Sequence, residues 1–177
     1  MIVSDQQRDE NFQEYLRLLN DSNYYDVTFD EKSGGVSAIH KDHQFDKKIG
    51  PFGIKRGIYE IKTINALMRL GYSIILEPEL SSGSTVCKSF DGYLNGLSTE
   101  IKAIESDGRW AIRTKLSKAH KQGATIVVLF FPDKNLFSKE RVIQGWKDFE
   151  TSSNSVGYLS LLCVVEEAVI EIEKPSW

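Results

Sequence analysis

The sequence predicts an α/β fold in which a mixed β-sheet is flanked by helices, with a helix and a hairpin at the N-terminus. Strand-like segments surround Asn95-Gly96, a dipeptide typical of two-residue β-hairpins, and helix-like segments lie on both sides of that hairpin. The apolar segment 124–131 (ATIVVLFF) is typical of a strand covered on both faces. A meander followed by a crossover helix and a buried strand predicts a mixed sheet with helices packed on it.

The N-terminal segment 1–45 is predicted to be a helix plus hairpin appendage to a main domain, 46–177. Residues 5–19 predict the helix, because their apolar side chains recur at helical spacing. These side chains are Phe12, Tyr15, Leu16 and Leu19. The segments 24–29 and 36–40 favour β-structure and flank a glycine-containing turn, which predicts the hairpin.

The main domain opens with a helix and a three-stranded meander. Residues 55–70 have helix-spaced apolar side chains and are followed by Gly71, a typical helix stop. Residues 72–76 (YSIIL) predict a short apolar strand. The strands of the Asn-Gly hairpin are predicted at 86–94 and 97–104.

The C-terminal part is predicted to alternate helices and strands. A helix is expected over 107–122, where Asp107 would serve as the N-cap. The buried strand 124–131 follows, then a helix over 138–149 and a strand region over 159–172.

Composition places the chain among ordinary soluble globular proteins, with 177 residues, 41% hydrophobic and 27% charged. The longest apolar run, 124–132, is too short to cross a bilayer, so no membrane partner is expected. A net charge of −3 does not indicate nucleic-acid binding, but segment 109–121 carries five basic residues and no acidic one. Cys87 and Cys163 are isolated, which predicts reduced core thiols of a cytosolic protein.

Asp91, Glu100 and Lys102 are the candidate active-site residues. If the Asn-Gly turn is of type I′, Leu94 pairs with Leu97, and counting outward places Asp91 opposite Glu100. The Cβ atoms of directly opposed residues lie roughly 4.5 to 5.5 Å apart, so the two carboxylates repel each other. Such a pair requires a compensating positive charge.

A divalent cation bound by Asp91 and Glu100 would remove the repulsion. Mg²⁺ accepts one or two carboxylates and completes its coordination with water and phosphate oxygens, and Mn²⁺ is the alternative ion. Period-two alternation puts Lys102 on the same face as Glu100, where its amine can orient or deprotonate the attacking water and stabilise developing charge. The trio therefore predicts metal-assisted phosphodiester hydrolysis. A solvent-exposed sheet face decorated with charge is the alternative.

These residues resemble the signature of the PD-(D/E)xK nuclease superfamily, in which an Asp on one strand precedes an acid-x-Lys on the next. Asp91 and Glu100-Ile101-Lys102 match those positions, and the order helix, strand, strand, strand, helix, strand matches the superfamily core. The Pro that usually precedes the Asp is Phe90 here. The resemblance implies a restriction-endonuclease-like core.

Within that superfamily, the segment of roughly 45–131 is similar to the C-terminal tRNA-nuclease domain of CdiA contact-dependent inhibition toxins and to its phage and mobile-element relatives. The short motifs that carry this similarity occur in the same order. They are Gly57-Ile58-Tyr59-Glu60, Gly71-Tyr72 with Glu77, Asp91-Gly92-Tyr93-Leu94-Asn95-Gly96 and Glu100-Ile101-Lys102.

The resemblance implies a metal-dependent endonuclease that acts on RNA, with tRNA favoured. Glu60 matches the acid that the family places on the preceding helix, which implies a contact to metal or water there. The resemblance further implies a toxin that acts in the cytoplasm, is delivered from a larger secreted or phage-borne protein, and is blocked by a cognate immunity protein.

The resemblance also implies that the helix after the acid-x-Lys strand meets the phosphate backbone of the substrate. The candidate nucleic-acid-binding residues are Arg109, Arg113, Lys118, His120 and Gln122. Gln122 matches a Gln that recurs in this helix among relatives. For each of these residues the alternative is a solvated helix surface.

Two other functions stay open. The same core could cleave DNA, because the contacts that distinguish a 2′-hydroxyl depend on pocket shape. The chain could also be a noncatalytic nucleic-acid-binding or assembly module of a mobile element. His40 and His43 have too few neighbouring ligands for a zinc site, and we place neither in the active site.

Overall fold

A computed structural model describes residues 4–78, 90–153 and 160–174. The elements, in chain order, are α1 (Asp5–Leu19), β1 (Tyr24–Asp30), β2 (Gly35–His40), α2 (Gly57–Met68), β3 (Ser73–Leu76), β4 (Gly92–Leu94), β5 (Leu97–Ala103), α3 (Ala111–Lys121), β6 (Ile126–Phe131), α4 (Lys139–Ser153), β7 (Ser160–Val165) and β8 (Ala168–Ile172). A short 3-10 helix, Lys134–Leu136, precedes α4.

The strands form one eight-stranded mixed sheet in which spatial order equals chain order. The pairs β2–β3, β5–β6 and β6–β7 are parallel, and the other four pairs are antiparallel. Parallel neighbours need a crossover connection, and α2, α3 and α4 supply the three crossovers. The predicted α/β fold, a mixed sheet flanked by helices, is confirmed.

Helices cover both faces of the sheet, so the central strand β6 is buried along its whole length. Val127 and Leu129 pack in the core formed with α3 and α4. Val128 and Phe130 point the other way and pack in the core under α2. Each fully buried aliphatic side chain stabilises the fold by roughly 1.5–3 kcal/mol, which explains the uninterrupted apolar sequence of this strand.

The N-terminal helix and hairpin continue the sheet, since β2 pairs in parallel with β3. Leu18 of α1 packs against β2 and β3 in a core of its own. The buried Asn11 amide nitrogen donates to the carbonyl oxygens of Gly34, at 2.8 Å, and of Gly71, at 2.9 Å. These bonds join α1 to the turns that precede β2 and β3. The boundary between 1–45 and 46–177 stays a prediction.

The structure corrects two sequence predictions. Helix α3 begins at Ala111, and Trp110 rather than Asp107 is its N-cap residue, because a turn in which Ala111 N–H donates to the Gly108 carbonyl comes first. The single strand region predicted over 159–172 is a hairpin, β7–β8, whose turn contains Glu166 at a positive φ of 57°.

Several predicted features fall partly outside the described residues. The first four positions of the strand expected over 86–94, including Cys87, lie there, and the described strand is β4. Cys163 is fully buried in β7, as predicted for a core thiol, and burial raises its pKa to about 12. No helix in the described parts of the chain is both long and apolar enough to span a bilayer.

Candidate active site

Four chain segments meet at one edge of the sheet. Strands β2 and β3 are parallel, so the residues that follow them, including His43 and Glu77, come to the same edge. Strand β4 runs antiparallel to β3, and therefore Asp91 arrives at that edge before β4 begins. Strand β5 is longer than β4 and extends past it, which brings Glu100 beside Asp91.

The Asn-Gly turn sets the register of this edge. Asn95 and Gly96 have φ values of 47° and 78°, as a type I′ turn requires, and Leu94 pairs with Leu97 as predicted. Beyond the end of β4, the Asp91 N–H donates to Glu100 Oε2 at 3.0 Å, and the Ile101 N–H donates to Asp91 Oδ2 at 2.8 Å. Each carboxylate is thus oriented by the backbone of the other strand.

Burial makes this pair of acids energetically costly when both are ionised. Loss of solvation raises the pKa of Asp91, and the charges of Glu100 and Glu60 raise it further, against the opposing effect of Lys102. Burial also raises the pKa of Glu100, whose side chain is only 1% exposed. Ionising both acids in this buried position is therefore unfavourable, and an added cation would stabilise their ionised forms.

Lys102 and Gln122 support Glu100. The Lys102 ammonium contacts Glu100 Oε1, because period-two alternation in β5 places both side chains on one face. The Gln122 side chain, at the C-terminal end of α3, donates a hydrogen bond to the same carboxylate. Helix α3 and strand β5 are therefore fixed relative to each other at the acid pair.

Glu60 reaches the edge from α2 and is held there by His43. The His43 Nε2 atom lies 2.9 Å from Glu60 Oε2, and Nδ1 lies 2.7 Å from the Glu77 carbonyl oxygen. A carbonyl only accepts, so Nδ1 carries a proton, and the contact with Glu60 needs a second proton. Burial lowers the pKa of His43, but the bonds to Glu60 and Glu77 outweigh that effect and the net pKa is raised. The imidazolium form paired with a Glu60 carboxylate satisfies both contacts.

His43 was missed by the sequence prediction, which placed it outside the active site. Its neighbour His40 lies apart from Glu60, and its Nδ1 accepts from the Asp42 N–H at 3.2 Å. Nothing in the spacing of the two histidines distinguishes them. The signal lies in topology: a residue just after β2 reaches the acids only because β2 and β3 are parallel neighbours. Glu77 points its carboxylate elsewhere and accepts from the Tyr24 hydroxyl at 2.7 Å.

The acid pair Asp91 and Glu100 faces a cavity of about 530 Å³. All four predicted catalytic residues, Glu60, Asp91, Glu100 and Lys102, border it. Its cationic lining also includes side chains from α3 and from the start of α2. These are Arg56, Lys115, Lys118 and Lys121.

The predicted nucleic-acid-binding residues divide between two faces of α3. Lys118 and Gln122 border the cavity, together with Lys115, which the sequence prediction omitted. These three are spaced by three and four residues, which is the spacing of one helix face and was a usable signal. The other three predicted residues do not border this cavity. The Arg109 and Arg113 guanidinium groups lie 4.4 and 4.9 Å from the Trp110 ring centre, and His120 lies against Phe149 of α4.

The donor set fits a hard divalent cation. Among residues 4–78, 90–153 and 160–174, no cluster of three or more His, Cys, Asp and Glu side chains is arranged to hold a metal. Mg²⁺ needs only one or two carboxylates, since water and substrate oxygens fill its other positions. Asp91 and Glu100 supply those two, and each carboxylate oxygen has two acceptor positions, so the backbone bonds leave capacity free. Burial raises the pKa of both acids, and a bound cation would offset the cost of ionising them.

Comparison of the chain with protein families, with curated proteins and with solved structures finds no match.

Proposed function

We propose that this protein is a metal-dependent endonuclease that hydrolyses phosphodiester bonds in RNA. One observation carries the proposal: two buried carboxylates, Asp91 and Glu100, are cross-bonded across a hairpin, with a lysine on the second of them. They face a cavity whose other wall is basic, as a polyanionic substrate requires. RNA rather than DNA, and tRNA in particular, follows from the sequence resemblance.

The chain's own residues provide positioning and charge. Asp91 and Glu100 would hold a Mg²⁺ or Mn²⁺ ion, which when bound polarises the phosphoryl oxygen and activates water. Lys102 places an ammonium beside the reacting phosphate, where it stabilises the negative charge that grows on the phosphorus oxygens. Glu60, held by His43, accepts a hydrogen bond from the attacking water and directs it at phosphorus. Lys118 and Gln122 position the substrate on the side of α3.

Cleavage assays with matched variants test the proposal. The purified chain is incubated with total tRNA and with plasmid DNA, in Mg²⁺, in Mn²⁺ and in chelator. Glu100→Gln keeps the size of the buried side chain and removes its charge. Glu140→Gln makes the same change at an exposed position on α4 and is the control. We expect cleavage of tRNA by the wild type and by Glu140→Gln in either metal, and a loss of at least about 100-fold in Glu100→Gln.

The outcomes separate the competing functions. Cleavage that persists in Glu100→Gln and in chelator contradicts the metal-assisted mechanism. Cleavage of plasmid DNA without cleavage of tRNA assigns the enzyme to DNA. Binding of either nucleic acid without cleavage under any metal condition favours a noncatalytic binding module. Lys102→Met should resemble Glu100→Gln, because it removes the ammonium while preserving the length of the side chain.

The toxin role is part of the same proposal. An enzyme of this kind arrests growth when produced in the cytoplasm, and a cognate immunity protein would cover the cavity. Growth arrest is measured by inducible expression of the wild type and of Glu100→Gln in a bacterial host. Growth arrest by the wild type alone supports the role, and equal growth of both strains contradicts it.

A further inference from the structure

The cavity has a second charged region, on the side away from Asp91. Here Arg56, just before α2, forms a two-point ion pair with Glu105, which follows β5. The Arg56 Nε lies 2.9 Å from Glu105 Oε1, and Nη2 lies 2.6 Å from Oε2. This pairing occupies both oxygens of the carboxylate. The negative charge of Glu105 is therefore largely balanced by Arg56.

Lys115 projects from α3 into this region without a carboxylate of its own. It is half-buried, and within the described residues no carboxylate oxygen forms an ion pair with its ammonium. Burial lowers the pKa of Lys115, Glu105 opposes that effect, and the charges of Lys102, Lys118 and Arg56 lower the pKa further. This part of the cavity lining thus holds three cations, Arg56, Lys115 and Lys118, against two carboxylates, Glu105 and Asp46.

A hydrogen-bond donor on the same wall is also unsatisfied. Tyr59 borders the cavity and is 2% exposed, and its hydroxyl has no hydrogen-bond partner among the described residues. Buried hydroxyl groups are normally paired. A half-buried ammonium and a buried hydroxyl without partners together indicate a ligand that carries negative charge and accepts hydrogen bonds.

We propose that Lys115, with Lys118 and the Arg56–Glu105 pair, binds a second phosphate group, namely the phosphodiester that neighbours the scissile one in the same strand. This inference rests on the proposed nuclease function. Phosphate supplies the negative charge that these cations lack and several acceptor oxygens. Lysine binds it as a point charge without reading sequence. Binding at two successive phosphates fixes the register of the strand at Asp91 and Glu100.

Binding in chelator tests the second phosphate position without requiring catalysis. A fluorescein-labelled single-stranded RNA of about ten nucleotides is titrated with wild type, Lys115→Met, Lys115→Arg and Lys147→Met over a range of salt concentrations. Lys147 is an exposed lysine on α4, outside the cavity, and serves as the matched control. Methionine preserves the aliphatic stem of Lys115, so the substitution removes mainly charge.

We expect Lys115→Met to bind roughly tenfold more weakly at moderate salt and to lower the slope of log K against log salt by about 0.7, the contribution of one phosphate contact to a single strand. Lys115→Arg should retain most of the binding, and Lys147→Met should match the wild type. Equal affinity and equal slope for Lys115→Met and the wild type would overturn the proposal.

A minimal substrate separates this proposal from the nuclease function. Bis(p-nitrophenyl) phosphate has one phosphodiester and no neighbour, so Lys115→Met should lose far more kcat/KM on the oligonucleotide than on this compound. If the wild type cleaves neither compound, the nuclease proposal fails, and the binding titration still judges the phosphate position. Equal loss on both substrates overturns the assignment of Lys115 to a neighbouring phosphate.

A terminal phosphate could supply the same chemistry. Repeating the titration with 5′-phosphorylated and 5′-hydroxyl RNA distinguishes the sources: an effect of Lys115→Met on both RNAs supports the internal phosphodiester, and an effect on the phosphorylated RNA alone overturns it.

Thermal unfolding tests whether the variant is folded. Lys115→Met should unfold at the wild-type temperature or above it, because an unpaired, desolvated ammonium is removed. If Lys115→Met unfolds far below the wild-type temperature, Lys118→Met is used instead in every experiment. Lys118 is an exposed residue of the same wall.

Discussion

The backbone amides of Asp91 and Ile101 hold the Glu100 and Asp91 carboxylates in place, while burial and the charge of Glu100 oppose the ionisation of Asp91. Because the pKa of Asp91 is raised in the folded chain, the folded state binds more protons than the unfolded state at pH values above those at which carboxyl groups ordinarily titrate. The stability contributed by this proton is fully present at acidic pH and is lost as the pH rises through the neutral range.

A pH and metal prediction follows for Asp91→Asn, which removes the charge and retains an acceptor oxygen for the Ile101 amide. In chelator, the free energy of unfolding of the wild type should decrease between about pH 5 and pH 8. The decrease should be smaller for Asp91→Asn, by the part that ionisation of Asp91 contributes. Mg²⁺ should stabilise the wild type more at pH 8 than at pH 5, since ligands bind metal when deprotonated, and should stabilise the variant less. Urea unfolding at several pH values measures both effects. A wild type and a variant with parallel pH profiles would contradict this account.

His43 is a positioning residue, since it acts on the reaction only through Glu60. His43→Ala and His43→Asn should lower kcat by about 10- to 100-fold, as is typical when a group that orients a site residue is removed. His43→Gln, whose amide can still donate toward Glu60, should recover part of the activity. The measurements are tRNA cleavage rates and the Mg²⁺ concentration for half-maximal rate.

The matched control for His43 is His40→Asn, at a neighbouring histidine whose ring contacts Asp42 and Tyr24 rather than Glu60. It should keep the wild-type kcat. If all three His43 variants also keep the wild-type kcat and metal requirement, His43 supports the fold alone.

At the scale of elements, the β4–β5 hairpin depends on how closely β4 approaches β3. A Cβ atom at Gly92 would lie 2.0 Å from the Ile75 carbonyl oxygen and 2.9 Å from the Leu76 Cα, which are backbone atoms that cannot move aside cheaply. Gly92 therefore permits the pairing that brings its neighbour Asp91 to Glu100.

Gly92→Ala should lower the free energy of unfolding by about 1–3 kcal/mol, because the two strands must separate to accommodate the methyl group. Urea denaturation followed by circular dichroism measures the loss. Gly108→Ala is the control, since the nearest atom to its added Cβ would be the Ser106 Oγ at 3.7 Å, an ordinary contact. Equal stability of the two variants would show that β4 tolerates a wider separation from β3.

Helix α3 shows how far helical spacing alone predicts a binding face. Lys115, Lys118 and Gln122 share the face that borders the cavity, whereas Arg113 and His120 do not border it. A count of basic residues identifies the helix but not its orientation. The orientation is set by Ile112, Leu116 and Ala119, which are buried against α4 and the sheet.

At the scale of the whole molecule, the N-terminal segment contributes two strands and a site residue. Removing residues 1–45 would delete β1 and β2, expose the edge of β3, and remove His43. The chain 46–177 should therefore unfold at least about 10 °C below the full chain or fail to stay monomeric, because an exposed apolar edge strand invites aggregation.

Thermal unfolding and size-exclusion chromatography of the two chains measure this effect. Equal unfolding temperatures and monomeric behaviour of 46–177 would establish the predicted boundary at residue 45 as a true domain boundary. His43→Ala in the full chain is the control, because it removes the side chain while retaining β2.

Local sequence determined the elements and the central pair of acids. The positive φ values that Asn95 and Gly96 adopt readily specify a two-residue turn, and period-two alternation then places Asp91, Glu100 and Lys102 together within one hairpin. Such contacts span few residues, so counting along the chain is enough to find them.

Tertiary structure alone decided which distant residues join that pair. His43 and Glu60 arrive from β2 and α2, and Arg56 and Lys115 meet across the cavity from separate helices. Their meeting depends on the parallel pairing of β2 with β3 and on which face of α3 is buried. Both are outcomes of packing between elements far apart in sequence, and no periodicity within one element specifies them.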